Sequence, residues 1–258
     1  MKSIIRYLLG SQYWVNYSNT LSYKGSWRKG VFHGFGELKY RNGTTYKGLF
    51  EAGSKHGYGS LISTNGYQYH GDWFKGQKNG NAKVHYKDGS TYEGFIKDGL
   101  RHGLGKFKDA QSGLELIGNW VADVLKGEVQ IVGPHWVFSG PLPTNEGEAL
   151  AKMEYQDGSI YRGEIKDFMR HGEGQIQYAS GEFIKGKWQQ DQHVFNATKF
   201  DKDGTTWTGN LVNLKPHGYM RVSLASGNTY DGVWDKGSML RTLHLKNRSK
   251  GSFNIHVH

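Results

Sequence analysis

The feature that most constrains this chain is a period. Tyr23-Lys24-Gly25-Ser26-Trp27 returns as Tyr46-Lys47-Gly48-Leu49-Phe50, Tyr69-His70-Gly71-Asp72-Trp73 and Tyr92-Glu93-Gly94-Phe95-Ile96, 23 residues apart each time. Further copies begin at Leu116, Phe138, Tyr161, Ile184, Trp207 and Tyr230, with steps of 24, 22 and then 23. The third-position glycine is present in all ten copies: Gly25, Gly48, Gly71, Gly94, Gly118, Gly140, Gly163, Gly186, Gly209 and Gly232. Chance does not keep ten glycines in register, so the chain is an array of one short supersecondary unit.

A second motif lies inside the clearest copies: His33-Gly34-Phe35-Gly36, His56-Gly57-Tyr58-Gly59, His102-Gly103-Leu104-Gly105 and His171-Gly172-Glu173-Gly174. Asn42-Gly43, Asn65-Gly66, Asp88-Gly89, Asp157-Gly158, Asp203-Gly204 and Ser226-Gly227 close the repeat. Asn-Gly and Asp-Gly between extended segments signal a hairpin turn that needs positive φ. Each repeat therefore reads as strand, loop, strand, tight turn. In Tyr-x-Gly-x-Trp the marked residues alternate and share one face of a strand. The glycines remove side chains from that face, so the rings of one hairpin are expected to pack over the glycine floor of its neighbours. Hydrophobic residues make up only 36% of the chain, too few for a thick core, whereas glycine (38 residues) and aromatics (14%) are plentiful. One such hairpin is barely stable alone, and stacked neighbours make it stable. The expected fold is all-β: an elongated, twisted, single-layer antiparallel strip of about ten 23-residue hairpins. Residues 1–22 would form an N-terminal cap strand, with Tyr13 to Tyr17 as its core. Residues 23–237 would form the array. Residues 238–258 would form a C-terminal cap or tail, with Leu243, Leu245, Phe253, Ile255 and Val257 alternating.

The unit Y-x-G-x-W-x-x-G-x-x-H-G-x-G resembles the MORN repeat family across residues 23–237. The resemblance implies the same hairpin strip and a role in assembling proteins or docking on membranes. Some relatives carry a lipid-kinase or methyltransferase domain; here 22 residues precede the array and 21 follow it, too few for either. The middle copies depart from the pattern, with Lys126 replacing the histidine and Glu148-Ala149 replacing His-Gly. The stretch Gly118-Asn119-Trp120 to Gly127, then Val129, Ile131 and Phe138-Ser139-Gly140, is similar to the irregular later repeats of radial-spoke-head MORN proteins. Later copies also depart, with Val194-Phe195 at a His-Gly position, and Ala197 and Met220 at following glycines. Bulkier surface there suits a specific partner footprint.

The chemistry points away from catalysis. His33, His56, His102, His171 and His217 hold one place in the repeat, and a catalytic residue is rarely copied five times, so these are structural histidines at the bend into the second strand. His256 and His258 lack a third ligand for zinc. No GxxxxGK[ST] phosphate loop is present, and no Ser-His-Asp or paired-carboxylate pattern stands out. Cysteine is absent, which removes disulfides, thiolate metal sites and a cysteine nucleophile and suits a reducing compartment. The expectation is no enzyme, no cofactor and no metal.

The net charge of +10 attracts acidic proteins, anionic lipid or nucleic acid. Its lysines and arginines, Lys24, Arg28, Lys29, Lys47 and Arg162 among them, are dispersed, and the aromatic–basic interleaving is explained by the repeat, so nucleic acid is not expected. The apolar start, Met1–Leu9, is interrupted by Arg6 and is too short for a signal-peptide core. No apolar run reaches 18 residues, so no membrane-spanning helix is expected. The leading expectation is a non-enzymatic scaffold in a multi-subunit cytoskeletal assembly, cytoplasmic and axonemal, such as the radial spoke head of a cilium. Its partner-binding groove would take a helix or extended peptide against Tyr69, Trp73, Tyr92 and Tyr161, although core packing is the simpler reading of such rings. The alternative is a membrane tether that binds anionic phospholipid or phosphoinositide through the basic surface. Free strand ends would also let two copies pair as a homodimer.

Overall fold

The structure, a computed structural model, describes residues 14–142, 149–247 and 251–253. It contains no helix among these residues. The chain divides into two compact units, Met1–Pro134 and His135–His258. In the first lie β1 (Val15–Ser18), β2 (Leu21–Arg28), β3 (Val31–Tyr40), β4 (Thr45–Glu51), β5 (Ser54–Ile62), β6 (Gln68–Phe74), β7 (Gln77–His85), β8 (Thr91–Lys97), β9 (Leu100–Lys108), β10 (Glu115–Val121) and β11 (Val124–Val132). In the second lie β12 (Trp136–Pro141), β13 (Ala149–Tyr155), β14 (Ile160–Lys166), β15 (Met169–Gln177), β16 (Phe183–Gln189), β17 (His193–Phe200), β18 (Thr206–Val212), β19 (Lys215–Ser223), β20 (Thr229–Asp235), β21 (Ser238–Asn247) and β22 (Gly251–Phe253). Within each unit every strand pairs antiparallel with its neighbours in the chain, an open single-layer meander of hairpin repeats.

β1 pairs with β2, and β21 with β22 through Leu245 opposite Phe253. Met1–Leu9, Tyr13, Glu148, Ile255, His256, Val257 and His258 lie outside the described residues.

The two kinds of turn exchange the roles expected of them. The tight two-residue turn lies between the strands of each repeat, where the sequence suggested a loop: Ala52 and Gly53 have φ of 49° and 84°, and Lys75 and Gly76 of 48° and 86°. Positive φ at both positions matches the right-handed twist of a hairpin. The Asn-Gly and Asp-Gly pairs sit in longer connections between repeats. There only the glycine has positive φ, 91° at Gly66. The Asn or Asp contributes its side chain: Asn65 Oδ1 accepts the Tyr67 amide at 3.1 Å, and Asp88 Oδ1 accepts the Ser90 amide at 2.9 Å. That is an Asx turn.

Candidate functional site

One face of each unit carries the repeat tyrosines and glycines. Gly48 lies opposite Gly59, and Gly94 opposite Gly105, across their own hairpins. The Tyr46 ring covers the first of these pairs: a Cβ on Gly48 would stand 2.6 Å from the Tyr46 hydroxyl and 2.5 Å from Gly59 Cα. Each tyrosine thus packs on the glycines of its own hairpin, a correction to the expected packing on the neighbours'. The register slips by two residues between Gly48 and Phe50, a β-bulge, and the Tyr46 hydroxyl donates to the Leu49 carbonyl there at 2.9 Å. Tyr23, Tyr69, Tyr92 and Tyr161 make the same bond three residues on. The tryptophans link repeats: Trp73 Nε1 donates to the Gly59 carbonyl at 3.2 Å, and Trp120 and Trp188 do the same to Gly105 and Gly174.

This geometry decides the fate of the groove expected at Tyr69, Trp73, Tyr92 and Tyr161. All four are buried, at 0%, 4%, 1% and 0% exposure. Tyr69 and Trp73 touch edge-to-face at 5.2 Å, whereas Tyr161 belongs to the other unit. A ring laid flat on a glycine floor and covered by the next repeat keeps no surface for a ligand, so these residues are core. Burial pushes the Tyr23 and Tyr92 hydroxyls up to about 12 and raises Tyr46, Tyr69 and Tyr161 further.

The five repeat histidines are half-buried, each in the second strand of its hairpin. His56 Nδ1 lies 3.2 Å from Glu51 Oε2 at the tight turn. Among the described residues no group of three His, Asp or Glu side chains is placed to hold a metal ion.

The opposite face of the first unit carries the surface that the sequence reading missed. Phe35, Tyr58 and Leu104, each between the two glycines of H-G-x-G, are 54%, 60% and 78% exposed. Phe35 pairs directly with exposed Leu49, while Tyr58 pairs with Asp72. Exposed Phe95 completes the row beyond Asn81. The adjoining row alternates in charge: Lys47 bonds Glu37 at 3.0 Å, Lys83 bonds Glu93 at 3.1 Å, and Lys106 bonds Glu115 at 2.5 Å. The second unit places Glu164, Glu173 and Lys187 at corresponding positions of the first row, together with exposed Phe195 and Tyr219. The available signal was strand alternation: residues between the motif glycines must face away from the tyrosines.

An open sheet of hairpins, each closed by a tyrosine-capped bulge over paired glycines, defines a β-hairpin-repeat protein. The family model of the MORN repeat matches residues 23–45, 46–66, 69–91, 92–113 and 161–183. These five segments start at the five tyrosines whose hydroxyls cap a bulge, so the chain carries MORN repeats there. No curated protein matches the chain. Among solved structures, the SAS-4 (dCPAP) TCP domain in complex with a proline-rich motif of Ana2 (dSTIL) of Drosophila melanogaster is 14% identical, with a TM-score of 0.27, over 68% of this chain and 83% of that one.

Proposed function

We propose that this chain is a MORN-repeat scaffold without catalytic activity that organises partner proteins in a ciliary, axonemal assembly of the radial-spoke-head type. MORN repeats generally serve as protein- or membrane-binding scaffolds. The observation that carries the protein-binding reading is the exposed row Phe35, Leu49, Tyr58, Phe95 and Leu104 beside a row of alternating charges. Exposed apolar side chains rimmed by polar ones, here in two groups separated by Asp72 and Asn81, mark protein contacts. The occupant is a second protein with an apolar ridge between charges of both signs. The ciliary placement rests on the likeness of the middle repeats to radial-spoke-head proteins.

The test is detergent extraction of tagged protein from ciliated source cells. Retention in the axonemal fraction, lost when Phe35, Tyr58 and Leu104 are all changed to Ala, is the expected result. Release of the wild-type protein together with the membranes overturns the reading in favour of the lipid tether.

A further inference from the structure

One position of the repeat, the residue before the histidine, lies on the aromatic face. Down the first unit it reads Phe32, Lys55, Lys78, Arg101 and Leu125. Arg101 is neutralised from within. Its Nε donates to Asp123 Oδ1 at 3.0 Å, its Nη2 to the Asp123 carbonyl at 3.1 Å, and its amide to Asp123 Oδ1 at 2.9 Å. In the second unit Arg170 holds Asp191 through the same three bonds. Each aspartate is the second residue of the next tight turn, and its amide bonds the carbonyl of the arginine it neutralises.

At Lys55 and Lys78 that aspartate is missing. The corresponding turn residues are Gly76 and Gly99, whose amides bond the Lys55 and Lys78 carbonyls in the same way. A Cβ on either glycine would meet nothing within 4 Å, so the place of the carboxylate is open. Among the described residues neither lysine forms an ion pair. Lys55 Nζ lies over Trp73 at 4.6 Å, Tyr46 at 5.1 Å and Tyr40 at 5.4 Å. Lys78 Nζ lies over Tyr67 at 4.4 Å and Tyr69 at 5.2 Å and donates to the Tyr67 hydroxyl at 2.7 Å. Both are half-buried. Burial brings Lys55 down to about 8, and burial followed by the Lys55 charge lowers Lys78. Ring faces stabilise a cation only partly, and a desolvated charge without a counter-charge is unfavourable.

We propose that Lys55 and Lys78 form a binding site for an acidic segment of a partner protein in the polyproline II conformation, whose carboxylates occupy the places that Asp123 and Asp191 fill for their arginines. The spacing selects this conformation. The lysines are one repeat, hence two strands, apart, which is about 9.6 Å across a sheet. A polyproline II helix advances about 9.3 Å per three-residue turn, so acidic residues three apart point to one side at nearly that spacing. The half-buried rings of Tyr40 and Tyr67, which still present surface beside the two lysines, are the kind of aromatic that proline-rich segments pack on. The site is two repeats long. Phe32 ends it on one side; on the other, Lys78 and Gly99 line a groove of about 310 Å³ that runs on to Asp88 and to the Arg101–Asp123 pair, where the cation is already neutralised. It lies on the opposite face from the apolar row and stands or falls independently of the scaffold reading.

The experiment is fluorescence anisotropy of the full chain with a labelled Glu-Pro-Pro repeat peptide and its Gln-Pro-Pro counterpart. The acidic peptide is expected to bind, and Lys55→Gln and Lys78→Gln each to weaken it about tenfold, with Lys83→Gln on the opposite face leaving it unchanged. Gly76→Asp with Gly99→Asp supplies the internal carboxylates, keeps both lysines, and is expected to weaken binding at least as much. The φ of 68° at Asp123 and 61° at Asp191 show that aspartate accepts this turn position. On the wild-type chain, the peptide is expected to slow acetylation of Lys55 and Lys78. Equal affinity for the Gln-Pro-Pro peptide overturns the proposal. So does an unaltered affinity in the Asp double variant, or binding to phosphatidylserine vesicles without binding to the peptide.

Discussion

Hairpins with and without the tyrosine reach the same sheet thickness by different means. In the first unit Tyr23, Tyr46, Tyr69 and Tyr92 lie over glycines, and the facing residue is Gly36, Gly59, Ala82 or Gly105. Where the tyrosine is lost, the facing glycine is lost too. Leu116 comes with Val129 opposite Gly118, Ile184 with the Val194 side chain standing at Gly186, and Trp207 with Met220 opposite Gly209. Val194 and Met220 are fully buried, and Val129 is 5% exposed. A ring over a bare backbone and an aliphatic side chain rising from it fill the same volume. Three such exchanges show that interior filling is what the array preserves and that the motif is one solution to it. The clasped solution predominates in the first unit and occurs once, at Tyr161, in the second.

The largest expected effect of this difference is on alkaline stability. A buried phenol whose folded pKa is raised contributes stability that is intact below the unfolded value near 10 and is lost as pH climbs toward the folded value. Tyr23 and Tyr92 stand at about 12, and Tyr46 and Tyr69 are raised beyond that. Each costs about 1.4 kcal/mol per pH unit in that window. Lys55 works oppositely: with its folded pKa at about 8, below the unfolded value, stability rises between 8 and 10.5. The first unit should therefore gain slightly up to pH 10 and then lose stability faster than the second, as read by urea unfolding with amide exchange resolved by unit. Equal loss in both units would break the comparison.

Next in size is Gly48→Val. Its Cβ would meet Gly59 Cα at 2.5 Å and the Tyr58 carbonyl oxygen at 2.8 Å, and backbone cannot move aside as a side chain can. A loss of about 3 kcal/mol is expected in urea unfolding. The double change Tyr46→Leu with Gly59→Val copies the Leu116 and Val129 arrangement. It should be clearly less harmful than the sum of its single changes, and additivity in that cycle would mean the two fillings are not alternatives.

Sequence reading recovered the period and the antiparallel strands of the repeat, because identity at ten glycines and a fixed period survive without knowledge of neighbours. It did not recover the binding surface. Alternation assigns Tyr69 and Asp72 to opposite faces, but which face is covered depends on whether a ring lies down on its own hairpin or stands free. That follows from the bulge and the hydroxyl–carbonyl bond, which the letters do not display. Lys55 and Lys78 look like two among 33 basic residues until Arg101 and Asp123 reveal what their position is for. The tight turn was missed because Ala52-Gly53 and Lys75-Gly76 lack the Asn-Gly signature, and the Asn-Gly pairs serve a longer connection.

A smaller effect isolates the clasp itself. Tyr46→Phe keeps the ring and removes only the bond to the Leu49 carbonyl at the bulge. The expected cost is about 1–2 kcal/mol, and Tyr161→Phe should cost the same in the second unit because the Glu164 bond is equivalent at 2.7 Å. A much smaller cost at Tyr161 would mean that the units differ in more than their count of clasps.

The smallest effect has the opposite sign. In the first unit four of the tight turns end in glycine, at Gly30, Gly53, Gly76 and Gly99, but in the second unit two end in Phe168 and Leu214, at φ of 59° and 62°. Bulky residues are strained in that region, by about 1–3 kcal/mol, whereas glycine is not, though it costs some unfolded-state entropy. Phe168 recovers part of its strain by packing edge-to-face on Phe138 at 5.3 Å, so replacing it removes a contact as well. Leu214 makes no ring contact and follows Asn213, itself at φ 49°, so Leu214→Gly creates an Asn-Gly pair at the one type of turn that favours it most. A gain of about 0.5–1 kcal/mol in urea unfolding is expected, the strain released less the entropy cost. No gain, or a loss, would mean that Leu214 is held by packing that outweighs its backbone strain, and the second unit would then be no less well turned than the first.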